Sequence, residues 1–544
     1  MRRIVAATAV ALFAALVAIA VEPPVLAPVS ASKLTNAESA RRKLGLYASY
    51  PAVPTIGQVK VAILDSGFDR IDGQRPYLPK SAVLVEHYDR EFIAKHKLGE
   101  PDFQKSFVPG EAHGRLMAQI VWAASGSSQF GPKFYLLNAN GPTLFRRAVR
   151  YAIEQKVDVI LFSGTFEGAG NFDGRGPINA VVDDALAAGI IWVNAAGNNG
   201  GTVFNGPVKL DDTGYLKLRT GDDPTALRFA NRLDENAVTI TLTWNDYRDT
   251  EDAGTDKDLD LIVEDWLGRV VGESQLKQVP AGPPAAAGET KNPRERVILT
   301  DLPAKPSGEE YRVRVKANSR NFGALDRIRI LVSSARTAAL NDPDSGKTVV
   351  PVEFLDASKS GEMYPPADHA GVLAVGDSLA QSAVGPTVDG RLKPDVVLAD
   401  SVARFSNGDE SVGSSNAAAY FAGVVAVLRA TEPSLTTGHL RDWVRQLDRK
   451  KVPVAASVRI PDAAPLSPNQ ERAMRYAAIA LEEKRRRGEL NPEVIVSNPG
   501  GTVVVTPKTK TPATRALPAG DPPIHAPWVS PTPRELALLV RNGK

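Results

Sequence analysis

The 544-residue chain has no cysteine. Disulfides, thiolate catalysis and cysteine-ligated metals are therefore excluded, while an oxidising compartment is not. Neither charge sign dominates: 65 Lys and Arg stand against 62 Asp and Glu, a net charge of +3. There is no dense basic stripe and no interleaving of basic and aromatic residues, so no nucleic-acid partner is expected. The one basic run, Lys484-Arg-Arg-Arg487, closes a charged helix and reads as a solvated face. No internal repeat is present. Long apolar runs are also missing, except at the start, where Met1-Arg2-Arg3 precedes an apolar stretch from Ile4 to Val21 and then Val29-Ser30-Ala31. This reads as a secretory signal cut after Ala31. The run approaches membrane-spanning length, so an uncleaved anchor is the alternative, and a membrane partner is expected only then. Either form places the rest of the chain outside the cytoplasm, secreted or anchored.

Against these absences, three short segments stand out: Val-Ala-Ile-Leu-Asp65-Ser-Gly, Glu-Ala-His113-Gly-Arg and Val-Gly413-Ser-Ser415-Asn-Ala-Ala. A serine hydroxyl is a weak nucleophile at neutral pH and needs an imidazole to take its proton and a carboxylate to orient that imidazole. Residues 59–64 form a β-branched apolar run, the pattern of a buried parallel strand, which puts Asp65 at its carboxyl end. His113 opens a small-residue apolar stretch and so lies near a helix start, where the dipole tends to lower an imidazole pKa. Arg115 beside it would lower that pKa further. Ser415 is expected in the first turn of a buried helix. Asn198, after the strand-like run ending in Val-Asn-Ala-Ala-Gly197, can donate to a developing oxyanion, with the Ser415 N–H as its partner.

The order Asp, His, Ser and the motifs D-S-G, H-G, A-A-G-N and G-x-S-x-A resemble those of subtilisin-like serine peptidases. The register agrees: Ala422-Gly423 lie at the family's spacing beyond Ser415, which Ser414, Ser411 and Ser406 do not match. Leu373-Ala-Val-Gly376 and Gly390-Arg-Leu-Lys-Pro-Asp395-Val are also family-like, and Asp158-Val-Ile-Leu-Phe-Ser163-Gly164 resembles the family's substrate-binding strand. The resemblance spans roughly residues 57–200 and 350–465. It departs at Arg115, Ser414 and Asn416, and at Ala419-Tyr420, where a Pro is common. It implies an α/β fold, a subtilisin-like parallel sheet flanked by helices, and no cofactor in the chemistry. The remaining histidines, His87, His96, His369, His439 and His525, are expected to be non-catalytic. An acid-acting sedolisin would carry Glu and Asp where His113 and Asn198 stand.

Between Asn198 and Leu373 the pattern changes. Runs such as Leu216–Arg219, Ala237–Trp244, Leu259–Val263, Tyr311–Val315 and Arg327–Val332 alternate with period two. They predict an inserted antiparallel, jelly-roll-like β-sandwich at 203–335. Asp256, Asp258 and Asp260 supply hard oxygen ligands that suit a structural calcium ion, although a solvated acidic edge fits them equally. The expected organisation is a signal or anchor at 1–31, a short N-terminal segment at 32–56 with no room for a long pro-domain, and catalytic parts at 57–202 and 336–465 around the insert. A charged helix at 466–490 and a flexible Pro/Gly-rich tail at 491–544 follow. The expected function is an exported serine endopeptidase with Asp65, His113, Asn198 and Ser415 as its machinery and Ser163-Gly164 binding protein or peptide substrates. The alternative is a non-catalytic binding protein that uses the insert on a retained scaffold.

Overall fold

The computed structural model describes residues 59–447 apart from short internal stretches. The expected signal, the 32–56 segment, the charged helix, the tail and His525 lie outside the described residues. At the centre is a seven-stranded sheet. Its members are β1 (Lys60–Asp65), β2 (Val83–Val85), β3 (Lys133–Asn138), β4 (Val159–Phe162) and β5 (Ile191–Ala195), with two strands that arrive after the insert. Every pairing in it is parallel. Strands with apolar residues at nearly every position need cover on both faces, and helices supply it. Val61 and Ile63 face the helices His113–Ser125 and Ser414–Thr431, while Ala62 and Leu64 face Arg90–His96, Pro142–Glu154 and Pro177–Ala187. In chain order these helices are α1 (Arg90–His96), α2 (His113–Ser125), α3 (Pro142–Glu154), α4 (Pro177–Ala187) and α5 (Ser414–Thr431); α6 is Thr437–Leu447. Gly423 is the point where α5 crosses α2: a Cβ there would meet Val121 O at 2.8 Å and Ala124 Cβ at 2.6 Å.

The chain leaves the sheet after β5 and builds two antiparallel sheets before returning. One contains β6 (Val203–Pro207), β8 (Asn236–Trp244), β11 (Arg294–Leu302) and β13 (Arg327–Ser334). The other contains β7 (Ala226–Asn231), β9 (Leu259–Glu264), β10 (Val270–Ser274), β12 (Tyr311–Ala317) and β14 (Val352–Phe354). Alternate residues of both sheets, Ile240 and Leu242 among them on one and Leu261 and Val313 on the other, share one apolar core. The pairing of β14 with β7 carries this unit past residue 335, because a three-residue strand leaves no readable alternation. Leu216 reaches the sheet only through a bridge to Leu210 and a hydrogen bond to Val315 O, so Leu216–Arg219 is not a full strand.

The return strand β15 (Leu373–Asp377) pairs directly with β5, and β16 (Val396–Leu398) then pairs with β15 at the edge. The whole insert thus occupies one connection between neighbouring strands and leaves the sheet unbroken. The Gly390–Val396 segment secures that return. Buried Lys393 donates to Val372 O and Asp395, and Asp395 also accepts the Ala374 N–H and Arg441.

Insert and core meet at Arg329 on β13. Its guanidinium lies 4.0 Å from the Phe172 ring centre and 5.2 Å from that of Tyr364, and donates to Met363 O. Burial pulls its pKa down to about 10, while the nearby Tyr364, Asp368 and Glu362 favour the charged form. Arg329→Ala would remove the buried guanidinium that stacks on two rings and donates to Met363 O, a loss of about 2 kcal/mol or more. A marked drop in the thermal midpoint of the full chain is expected; a midpoint equal to wild type would show that the junction does not rest on Arg329.

Candidate active site

The parallel sheet brings the carboxyl end of β1 to the amino end of α2. Asp65, the last residue of β1, accepts a hydrogen bond from His113 Nδ1 at 2.7 Å on Oδ2. Its other oxygen accepts the Ser66 and Gly67 N–H groups at 2.8 and 3.2 Å, so the carboxylate is held from both sides. A carboxylate can only accept here, so Nδ1 carries a proton, and in the neutral imidazole Nε2 presents the lone pair. That Nε2 is buried and has no hydrogen-bond partner. The glycine of the His-Gly pair has a steric role. A Cβ on Gly114 would come within 2.5 Å of Asp65 Cβ and 2.7 Å of Gly67 O, while its N–H donates to that same carbonyl at 2.8 Å. No other residue lets α2 approach β1 this closely.

The imidazole pKa is raised, contrary to the lowering expected from the helix start and from Arg115. Burial pushes it down, but the Asp65 charge and hydrogen bond, with Glu111 adding to them, outweigh that effect. Arg115 sends its Nε to Asp69 O at 2.9 Å.

Ser415 is the second residue of α5, after Gly413, whose φ of 130° suits glycine alone. Asn198 lies against this turn and its Oδ1 accepts from Ser414 N and Ser414 Oγ at 3.2 and 2.9 Å. Because a backbone N–H must meet an oxygen, the amide is oriented with Oδ1 toward Ser414 and Nδ2 as its donor end. Sequence reasoning noted Ser414 only as a departure from the family motif and gave it no role. Its hydroxyl also accepts the Gly197 N–H at 3.1 Å, so it ties the Asn198 loop to the helix start. The one available signal was a second hydroxyl at the first helical position. Asn416, which departs from the family motif, donates to Ser401 O and Ser411 O and so closes the loop ahead of the helix. Gly413 N–H donates to Ser401 Oγ, which donates in turn to Asp377 at the end of β15. Burial pushes the Asp377 carboxyl up to about 6.

Asp65, His113 and Ser415 are each almost fully buried, with 3%, 4% and 3% exposure. Ser415 Oγ donates to the backbone carbonyl of Ser163 at 3.0 Å rather than to His113. Ser163 and Gly164 follow β4 directly, and Gly164 O accepts Asn194 Nδ2 at 2.9 Å. The structure therefore brings Asp65 to His113, Ser415 to Ser163 and Asn198 to the Ser415 helix.

The other described histidines lie elsewhere: His96 bonds Glu154, His369 bonds Asp183 and accepts the Gly371 N–H, His87 is exposed beside Glu86, and His439 accepts the Thr436 N–H. Asp256, Asp258 and Asp260 take different environments. Asp256 is exposed ahead of β9, Asp258 contacts the Asn318 amide, Asp260 is buried in the strand, and burial raises the pKa of both Asp258 and Asp260. Among the described residues no group of three His, Cys, Asp or Glu side chains is placed to hold a metal ion. Nor is any described helix long and apolar enough to cross a membrane.

The contact at Gly114 yields a direct test. Gly114→Ala should cost about 1–3 kcal/mol of stability through overpacking. It should also separate His113 from Asp65, so that the imidazole pKa followed by NMR falls; a pKa that stays raised would show that close approach is not required.

Among solved structures, the fold is similar to the Clostridium perfringens CspB protease, with 15% identity over 77% of this chain and 95% of that chain and a TM-score of 0.44. It is similar to MycP1 from Mycobacterium smegmatis, with 13% identity over 82% and 89% and a TM-score of 0.29. It is also similar to the nisin leader peptidase NisP from Lactococcus lactis, with 12% identity over 78% and 91% and a TM-score of 0.31. No curated protein matches the sequence significantly. The family model described as the subtilase family matches residues 57–455, most of the chain and all four segments of the site, and the chain belongs to that family.

Proposed function

We propose that the protein is an exported endopeptidase that hydrolyses peptide bonds of protein or peptide substrates through an acyl-enzyme on Ser415. The observation that carries this reading is His113, with Nδ1 fixed on Asp65 at 2.7 Å and a buried Nε2 that has no partner. It has the protonation and orientation of a general base whose proton donor is yet to arrive. For catalysis the Ser415 hydroxyl turns from Ser163 O toward His113 Nε2. Ser163-Gly164 pairs with the substrate main chain as an added strand.

Ser415 Oγ then attacks the scissile carbonyl and His113 takes its proton. Negative charge builds on the carbonyl oxygen, where Asn198 Nδ2 and the Ser415 N–H donate. That N–H lies in the first helical turn, which has no intrahelical acceptor to claim it. Collapse breaks the C–N bond and His113 returns the proton to the leaving amine. Water attacks the acyl ester by the same route, regenerating Ser415. No cofactor enters these steps. Export is supported by the Met1–Ala31 segment, with cleavage or anchoring as its two forms.

Hydrolysis of an unfolded protein by the purified full chain tests this reading. Ser415→Ala should remove about six orders of magnitude in kcat and Asn198→Ala about two to three, the losses seen at the equivalent positions of a subtilisin. Equal turnover by wild type and Ser415→Ala would sink the mechanism. A wild-type protein that binds but never cleaves would favour the non-catalytic scaffold.

A further inference from the structure

Glu111, two residues before His113, is given no role by the steps above. Its Oε1 accepts the His113 backbone N–H at 2.8 Å. Its own main chain is pinned on both sides, with its carbonyl accepting from Asp69 N at 2.8 Å and its N–H donating to Val108 O at 3.1 Å. The side chain lies across Gly67, where a Cβ would fall 2.2 Å from Glu111 Cγ. Gly67 in turn donates to Asp65 Oδ1 and accepts from Gly114 N. Glu111, Gly67, Asp65, His113 and Gly114 thus form a closed ring of contacts around the imidazole. The first turn of α2 holds no acidic residue of its own, so Glu111 supplies the anionic cap that a helix start favours.

We propose that Glu111 is a positioning residue for His113: it fixes the first turn of the helix that carries the base, and its charge acts with Asp65 to set the pH range over which the base works. This rests on the peptidase reading only for its effect on turnover. The charged groups around the imidazole are few. Asp65 faces it from β1 and Glu111 from the segment before α2. On α2 itself Arg115 is turned to Asp69 O, and the first turn of α5 presents the uncharged Ser414, Ser415 and Asn416. Burial pushes Glu111 up to about 7, against the lowering influence of His113. Its charge therefore appears as pH rises through neutrality, the range in which an imidazole titrates.

Two substitutions separate capping from charge. Glu111→Gln keeps an oxygen that can accept the His113 N–H but removes the charge; Glu111→Ala removes both. In the full chain, Glu111→Gln should keep a thermal midpoint near wild type, lower the His113 imidazole pKa by about 1 unit as followed by NMR, and move the acid limb of kcat/KM to lower pH by the same amount. Glu111→Ala should show the same pKa shift with an added loss of thermal midpoint. An imidazole pKa unchanged in Glu111→Gln overturns the proposal, as does a loss of activity that is equal in both variants and flat across pH. The NMR titration needs no turnover. A shifted pKa in a protein that hydrolyses nothing leaves Glu111 in its role and removes the peptidase reading, whereas hydrolysis without a shift does the reverse.

Discussion

The hydrogen bond between Asp65 and His113 joins the last residue of a central strand to the first residue of a helix, and much of the surrounding architecture serves to hold those two ends together. It requires β1 to stop at Asp65, α2 to begin at His113, and the two elements to approach until no side chain fits between them. The glycines on either side, Gly67 and Gly114, are the residues that such an approach permits. Buried at almost full depth, the pair owes its strength to the low polarity around it and to the N–H groups that saturate the far side of the carboxylate.

The same sheet explains how the chain carries a second domain without disturbing this arrangement. Parallel strands place their carboxyl ends, and the loops that follow, on one side of the sheet. Asp65 follows from β1, Ser163 from β4, Asn198 from β5, and Asp377, which steadies the turn before Ser415, ends β15. The insert lies between β5 and β15, in the connection immediately after Asn198. Because those strands are hydrogen-bonded neighbours, the sandwich fills a single connection of the sheet, and its Arg329 packs against the core segments that hold Phe172 and Tyr364. The insert thus begins in the connection that carries Asn198.

The parts of this structure that were legible in the sequence are those with a strong local pattern. The continuous apolar run of Val61–Leu64 and the small-residue helix after Ser415 could each belong to few elements, and the period-two runs around Ile240, Leu261 and Ile330 led to strands of the two antiparallel sheets. What could not be read depends on groups distant in the chain. Val352–Phe354 is a strand only because β7 lies beside it. The bond of Ser414 to Asn198 links residues on separate elements, and in the sequence Ser414 shows only as a departure from the family motif. The imidazole pKa went the other way from the sequence expectation because the charge and hydrogen bond of Asp65 outweigh the helix start, while the added charge of Glu111 and the turn of Arg115 to Asp69 O depend on folded geometry.

The central claim is that these four segments form one working site with Ser415 as its nucleophile. Treatment of the full chain with a fluorophosphonate, followed by digestion and mass mapping of the modified peptide, tests it most directly. A single adduct on Ser415 is expected, one that fails to form when the protein is first unfolded. An adduct on Ser414, Ser163 or another serine, or no adduct on the folded protein, would contradict it.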